Sequence, residues 1–199
     1  MFKYIVLSLC FYTIVCEFVM ESEKNPVPGY YWKKFNGVIP KNALPGGTNR
    51  NGTVTYIGQV YDKQLVIPAK IDIDNSSVSY EWGYQEHFVT ENINILCVDH
   101  PEQFQWLTSA NGLLHNLKDK HLVTGGYEEE SHIYIGRIQL DDELSLGKII
   151  QGPRQTTLNT VRDGTGYQHA AFQILVYNPN VPVKTAECRR NPIIINFFK

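Results

Sequence analysis

Part of this chain is written twice. Leu44-Pro-Gly-Gly runs on to Tyr56-Ile-Gly-Gln, and Val123-Thr-Gly-Gly runs on to Tyr134-Ile-Gly-Arg. A lysine follows each tyrosine at the same distance, in Pro68-Ala-Lys70-Ile and in Leu146-Gly-Lys148-Ile. Upstream, Trp32 and Asn36-Gly37 are echoed by Trp106 and Asn111-Gly112; downstream, Gly83-Tyr-Gln-Glu-His87 is echoed by Gly166-Tyr-Gln-His169. Matched landmarks sit roughly 75 to 83 residues apart, beyond the roughly 20 to 50 of a solenoid unit. A duplicated module is a strong constraint: both copies must make the same strands and turns, and a site built by one has a counterpart in the other. Glycines and tyrosines recur wherever two copies share turns and a core. Neither a turn nor a core needs an ammonium at one fixed place, which singles out Lys70 and Lys148.

The local patterns are those of strands. Val54, Tyr56, Gly58 and Val60 alternate with Thr53, Thr55, Ile57 and Gln59, and His132–Gln139 and Val78–Trp82 repeat that period of two. Ile93 and Ile95, and Phe172, Ile174 and Val176, mark further strands. Pro45-Gly-Gly, Asn51-Gly52, Asp74-Asn75-Ser-Ser and Asp163-Gly164 read as turns between them. The best helical candidate, Asn111–Leu122, lacks a clean apolar stripe. The expectation is an all-β fold, two pseudo-symmetric antiparallel β modules packed as a β-sandwich.

Before the repeat, Lys3 and the apolar run Tyr4–Val15 end at Cys16 and Glu17. That run is shorter than the roughly 20 residues a bilayer core needs, so residues 1–16 read as a cleaved signal peptide and the protein as secreted, with an uncleaved anchor as the other reading. Residues 17–30 form an extended lead-in, 31–102 the first repeat and 103–178 the second. Residues 179–199 are a C-terminal extension whose apolar Ile193-Ile-Ile195 and Phe197-Phe198 suit an edge strand. No second apolar stretch approaches membrane length, so no membrane insertion is expected.

Loss of the leader removes Cys10 and Cys16 and leaves Cys97 and Cys188. Two readings stand: a disulfide between them in an oxidising compartment, or Cys97 as a core residue where the second copy has Val176. The net charge of -2 and the lack of any basic cluster beyond Arg189-Arg190 argue against nucleic acid as a partner. Six histidines are scattered without metal-ligand spacing. No glycine-rich strand-to-helix turn, opposed pair of carboxylates or nucleophile in a recognisable setting points to catalysis. The chain reads as a non-enzyme with no cofactor and no metal.

Taken together, Trp, Asn-Gly, Gly-Gly, Tyr-Ile-Gly-Arg, the Pro-Gly-Lys-like triplets at Lys70 and Lys148 and the Gly-x-Glu-His-like element resemble the tandem DM9 repeat, also known as DUF3421. The resemblance covers roughly residues 31–178. It implies an all-β protein similar to secreted insect members and to mollusc lectins that bind mannose-type glycans on microbial or host surfaces. In those lectins a carboxylate after the Gly-Gly pair and the lysine of the triplet grip the sugar hydroxyls. The matching positions are Asn49 and Lys70 in the first copy, Glu128 and Lys148 in the second. A carboxylate accepts from two neighbouring hydroxyls while an ammonium donates to their oxygens. Only Glu128 with Lys148 keeps that complement. Departures from the pattern are Ala69 for a glycine and Gln85 and Gln168 for lysines.

Asn51-Gly-Thr53 and Asn75-Ser-Ser77 are N-glycosylation acceptors, the first beside the Asn49 position. Tyr127 stands beside Glu128 as a candidate to stack on a sugar face, with turn packing as the other reading. His87 and His169 read as structural hydrogen-bonding residues or as ligand contacts. The implied function is carbohydrate recognition in innate defence or luminal secretion, with a homodimer supplying avidity. The alternative is an interaction protein that keeps the fold without sugar binding.

Overall fold

The computed structural model describes residues 29–128, 131–152 and 155–183. The expected signal peptide at 1–16, most of the expected lead-in, Cys188 and the stretch beyond 183 lie outside the described residues.

Fifteen strands form one continuous antiparallel system. The first repeat supplies β1 (Tyr30–Lys34), β2 (Pro45–Thr48), β3 (Val54–Asp62), β4 (Leu65–Asp72), β5 (Ser77–Trp82), β6 (Gln85–Val89) and β7 (Ile93–Val98). The second supplies β8 (Phe104–Ala110), β9 (His121–Leu122), β10 (Thr124–Glu128), β11 (Ser131–Gln139), β12 (Leu144–Gln151), β13 (Thr156–Arg162), β14 (Thr165–His169) and β15 (Ala171–Tyr177). Two 3-10 turns, Pro101–Gln103 and Leu114–Leu117, are the helical elements among the described residues. The all-β class inferred from alternation and turns is therefore observed. The Asn111–Leu122 stretch makes one such turn and no α-helix.

The two copies use the same register. Tyr56 faces Ile71 and Ile57 faces Lys70 across β3–β4; Tyr134 faces Ile149 and Ile135 faces Lys148 across β11–β12. Trp32 opposite Leu96 matches Trp106 opposite Leu175, and Cys97 takes the position of Val176. Cys97 is fully buried, and that burial pushes its thiol pKa up.

The copies are joined by strand pairing as well as by side chains. β2 of the first pairs with β12 of the second, β10 of the second pairs with β4 of the first, and β6 pairs with β14. The hydrogen-bonded circuit β3–β2–β12–β11–β10–β4 therefore closes on itself. Each copy keeps its own core, around Ile67, Ile71 and Ile95 in one and Ile149, Leu158 and Ile174 in the other. A third core is shared, made of Leu44, Ile57 and Leu96 with Val123, Ile135 and Leu175.

This interleaving explains the repeated Gly-Gly pairs and corrects one expectation. Pro45-Gly-Gly reads as a turn, but Pro45–Thr48 is strand β2, with an irregular register between Pro45 and Gly47. The glycines serve close approach. A Cβ at Gly47 would overlap the Leu144 carbonyl oxygen of the other copy, and one at Gly126 would overlap that of Val66. The same crossings hold the copies together through side chains from the Tyr-Ile-Gly strands. Gln59 Nε2 donates to the Gly125 carbonyl at 2.8 Å, and Arg137 Nη1 donates to the Gly46 carbonyl at 3.1 Å.

A second landmark also shifts. Gly83-Tyr84 forms the β5–β6 turn, with positive φ at both residues, and its structural counterpart is Asp163-Gly164. Gly166-Tyr-Gln-His169 lies in strand β14, three residues further on. His169 opposes Leu158 as Val89 opposes Val78, so the two histidines are not equivalent.

Candidate functional site

Strand exchange gives each copy's lysine a neighbour from the other copy. Two concavities result, related by the pseudo-twofold and different in chemistry.

The second-copy concavity, about 300 Å³, is lined by Glu128, Lys148, Asn159 and Gln168 and by Glu81, Trp82 and Tyr84 from the other repeat. Lys148 projects from β12 beside Asn159 on β13, and β10 ends at Glu128. Lys148 Nζ donates to Glu128 Oε1 at 2.6 Å and lies 3.0 Å from Glu81 Oε2. It also sits 5.0 Å from the centre of the Trp82 ring, within the range of a cation–π contact. All three charges are buried: Lys148 is 2 % exposed, Glu81 7 % and Glu128 8 %. Glu81 Oε1 also accepts the Tyr84 backbone N–H at 2.7 Å, which ties the carboxylate to the β5–β6 turn. The ring of Tyr84 is left 64 % exposed. The arrangement is a buried ammonium between two carboxylates, an excess of one negative charge, beside an aromatic pair. It offers charged acceptors and one remaining ammonium N–H to a ligand with adjacent hydroxyls.

Glu81, Trp82 and Tyr84 are the functional candidates that sequence reasoning missed. Glu81 sits in a strand alternating Val78, Tyr80 and Trp82 with Ser79 and Glu81, a pattern equally at home on a solvent face. Only the crossing of copies brings it to Lys148. Tyr127, a stacking candidate from the sequence, packs its ring against His132 at 4.9 Å between centroids and lines neither concavity.

The first-copy concavity is larger, about 560 Å³, and Asn49 and Lys70 both line it. They do not join as a pair. Asn49 Nδ2 donates to Asp72 Oδ1 at 3.1 Å and Oδ2 at 3.3 Å, while Asn49 Oδ1 accepts the backbone N–H groups of Asn51 and Thr53, each at 3.0 Å. Its amide thus braces its own loop. Asp72 takes a further donor from Asn75 Nδ2 at 2.7 Å. The half-buried Lys70 forms no hydrogen bond or ion pair among the described residues. Both glycosylation acceptors, Asn51 and Asn75, stand exposed at this rim.

An ion-pair cluster bridges the copies here. Arg50 Nη2 meets Asp163 at 2.6 Å, and Arg162 Nη2 meets Asp142 at 3.1 Å. The Arg50 guanidinium, hydrogen-bonded to Asp163, holds that carboxyl below its ordinary pKa. Arg162 occupies the position of Trp82 and Gly164 that of Tyr84, so this concavity exchanges an aromatic wall for charges.

Both histidines of the repeated element take structural roles. His87 Nε2 lies 3.0 Å from the Trp82 carbonyl with its ring stacked on Tyr80, and His169 Nε2 lies 2.8 Å from Thr160 Oγ1. Burial pulls the His169 pKa down. Among the described residues no group of three His, Cys, Asp or Glu is placed to hold a metal ion, and no helix is long and apolar enough to cross a membrane.

A family model described as the DM9 repeat matches residues 52–164. Among solved structures the chain is similar to the nematode sperm cell motility protein MFP2B, with a TM-score of 0.51 and 13 % identity, over 77 % of this chain and 47 % of that one. The chain thus spans about half that protein's length, and at such identity the likeness concerns the fold alone. No curated protein matches.

Proposed function

The chain belongs to the DM9 repeat family, whose model matches more than half of its length, and from that premise we propose that it is a secreted, non-catalytic protein that binds mannose-type glycans in defence or luminal secretions. The observation that carries the reading is the buried Glu128–Lys148–Glu81 triad at an open concavity walled by Trp82 and the exposed Tyr84. Vicinal hydroxyls donate to the carboxylates and accept from the remaining ammonium N–H, while the C–H face of the ring packs on Tyr84. Glu81 makes this site a joint product of both repeats.

Immobilised mannan titrated with wild type and variants tests the proposal. Wild type should be retained and eluted by free mannose. Glu128→Gln should weaken retention about tenfold, since a bond to a charged acceptor contributes about 1.4 kcal/mol more than a neutral one. Tyr84→Ala should weaken it several-fold through loss of the aromatic face, about 0.5–1.5 kcal/mol. Asn49→Ala should matter less. A second reading is favoured by the triad's internal pairing at 2.6 and 3.0 Å, which satisfies Lys148 without a ligand: a DM9 protein that acts as an interaction module. Wild type passing through mannan unretained would select it.

A further inference from the structure

We infer that a third concavity, over β8, β15 and β11, is a binding site for a small aromatic carboxylate. It shares no lining residue with the two concavities described above, so the inference does not depend on mannose binding.

The first copy shows what the second lacks there. Gln59 on β3 stands opposite Asn94 on β7, and Tyr61, two residues on, covers the pair. Its phenol donates to Gln59 Oε1 at 3.1 Å and accepts from Asn94 Nδ2 at 3.2 Å. The matching pair in the second copy is Arg137 on β11 opposite Gln173 on β15, with Gln139 at the Tyr61 position. Gln139 does not cover its pair. Its Nε2 donates to the Leu140 carbonyl at 2.6 Å and the Glu143 carbonyl at 3.2 Å, which hold it at the β11–β12 turn. A second aromatic is exchanged in the same row. Tyr127 pairs with Val66 beside Tyr61, whereas Thr48 pairs with Leu144 beside Gln139. Without either ring, a space of about 480 Å³ stays open beside Arg137 and Gln173, within the roughly 300–1,000 Å³ of small-molecule sites.

The chemistry of that space selects its occupant. No carboxylate lines it, and Arg137 forms no ion pair among the described residues. Arg137 Nε donates to Gln173 Oε1 at 2.8 Å, Nη1 donates to the Gly46 carbonyl, and the guanidinium lies 4.1 Å from the centre of the Trp106 ring. Nη2 donates no hydrogen bond among the described residues, and neither do Gln173 Nε2 and Thr108 Oγ1 in the same lining. Burial pulls the Arg137 pKa down, as it does for a cation without a counter-charge. A half-buried guanidinium with donors to spare calls for an anion, and a carboxylate meets its planar fork with two oxygens. A dianion would bring a second charge that no cation in the lining balances. Ile138, Leu144 and Phe172 supply the apolar part. A ring there takes the place that Tyr61 fills in the first copy, and a small aliphatic acid would leave it empty.

Calorimetric titration of the full chain with naphthoate, the neutral naphthamide and acetate tests the inference. Wild type should bind naphthoate at least tenfold more tightly than either of the others. Gln139→Tyr, which copies the first repeat, should weaken naphthoate at least tenfold with no fall in Tm, because its ring closes the space. Arg137→Gln should erase the preference for the acid over the amide. The fold should tolerate that change, since Gln59 at the matching position makes the equivalent bond to the Gly125 carbonyl, and a thermal melt of each variant checks this. Tyr84→Ala, in another concavity, should leave naphthoate binding unchanged. Wild type that does not bind naphthoate, or binds it no better than naphthamide or acetate, would overturn the inference. So would Gln139→Tyr that binds as tightly as wild type, Arg137→Gln that keeps the preference for the acid, or a loss in Tyr84→Ala. Failure on mannan leaves it untouched.

Discussion

Replacing Lys148 with methionine isolates what the buried triad does for stability. Methionine keeps the length and apolar stem of the side chain and removes the ammonium. Two carboxylates, 7 % and 8 % exposed, would then face each other without a counter-charge. Glu81 keeps the Tyr84 N–H as a donor, whereas Glu128 loses the Lys148 ammonium, its contact at 2.6 Å. Removing one member of a buried ion pair costs about 3–5 kcal/mol, because the charges left behind remain desolvated. The lost contact with the Trp82 ring adds about 0.5–1 kcal/mol. For a domain of this size the two together correspond to a fall in Tm of roughly 7–24 °C. Urea unfolding and a thermal melt followed by Trp fluorescence would measure it. Neutralising the carboxylates as well, in Glu81→Gln/Glu128→Gln/Lys148→Met, should recover most of the loss, since a neutral replacement of a whole buried ion group is often neutral or stabilising. A loss below about 1 kcal/mol for Lys148→Met, the scale of an ordinary surface change, would refute the reasoning. So would a triple variant no more stable than the single one.

Two further outcomes follow from other parts of the molecule. Gly126→Ala should cost about 3 kcal/mol or more or prevent folding, because the new methyl meets backbone of the other copy; Gly112→Ala, with φ +75 and open space around it, should cost about 1 kcal/mol. Chemical denaturation of both variants checks the contrast. Burial, and then the hydrogen bond to Asp62, push Tyr80 up to about 12 from an ordinary value of 10.0. Its folded pKa is raised, so its stabilising contribution is complete below about pH 10 and is lost as pH rises towards 12. A phenolate absorbance titration of wild type against Tyr80→Phe should show the missing tyrosine titrating last.

The sequence by itself determined the class of fold and the duplication. Strict alternation over Val54–Val60 and His132–Gln139, with turn residues at Asn51-Gly52 and Asp163-Gly164, leaves little but antiparallel strands, because such preferences act between near neighbours in the chain. The pairing of Lys148 with Glu128 was expected too, from the resemblance to the DM9 lectins rather than from the repeat alone, since the first copy has Asn49 where the second has Glu128. The tertiary structure alone decided how the copies interlock. Gly46-Gly47 and Gly125-Gly126 look like turn residues until β2 and β10 are seen crossing onto the other repeat, where a Cβ has no room. It also decided the difference between the two concavities. Glu81 and Trp82 reach Lys148, and Arg162 and Asp163 reach the Lys70 side, across a pseudo-twofold that no spacing along the chain encodes. Asn49 and Lys70 occupy matching positions in the repeat, yet Asp72 captures the amide and leaves the ammonium alone. Which of two nearby polar groups wins a donor is a matter of ångströms between strands far apart in sequence, and it is settled only when those strands pack.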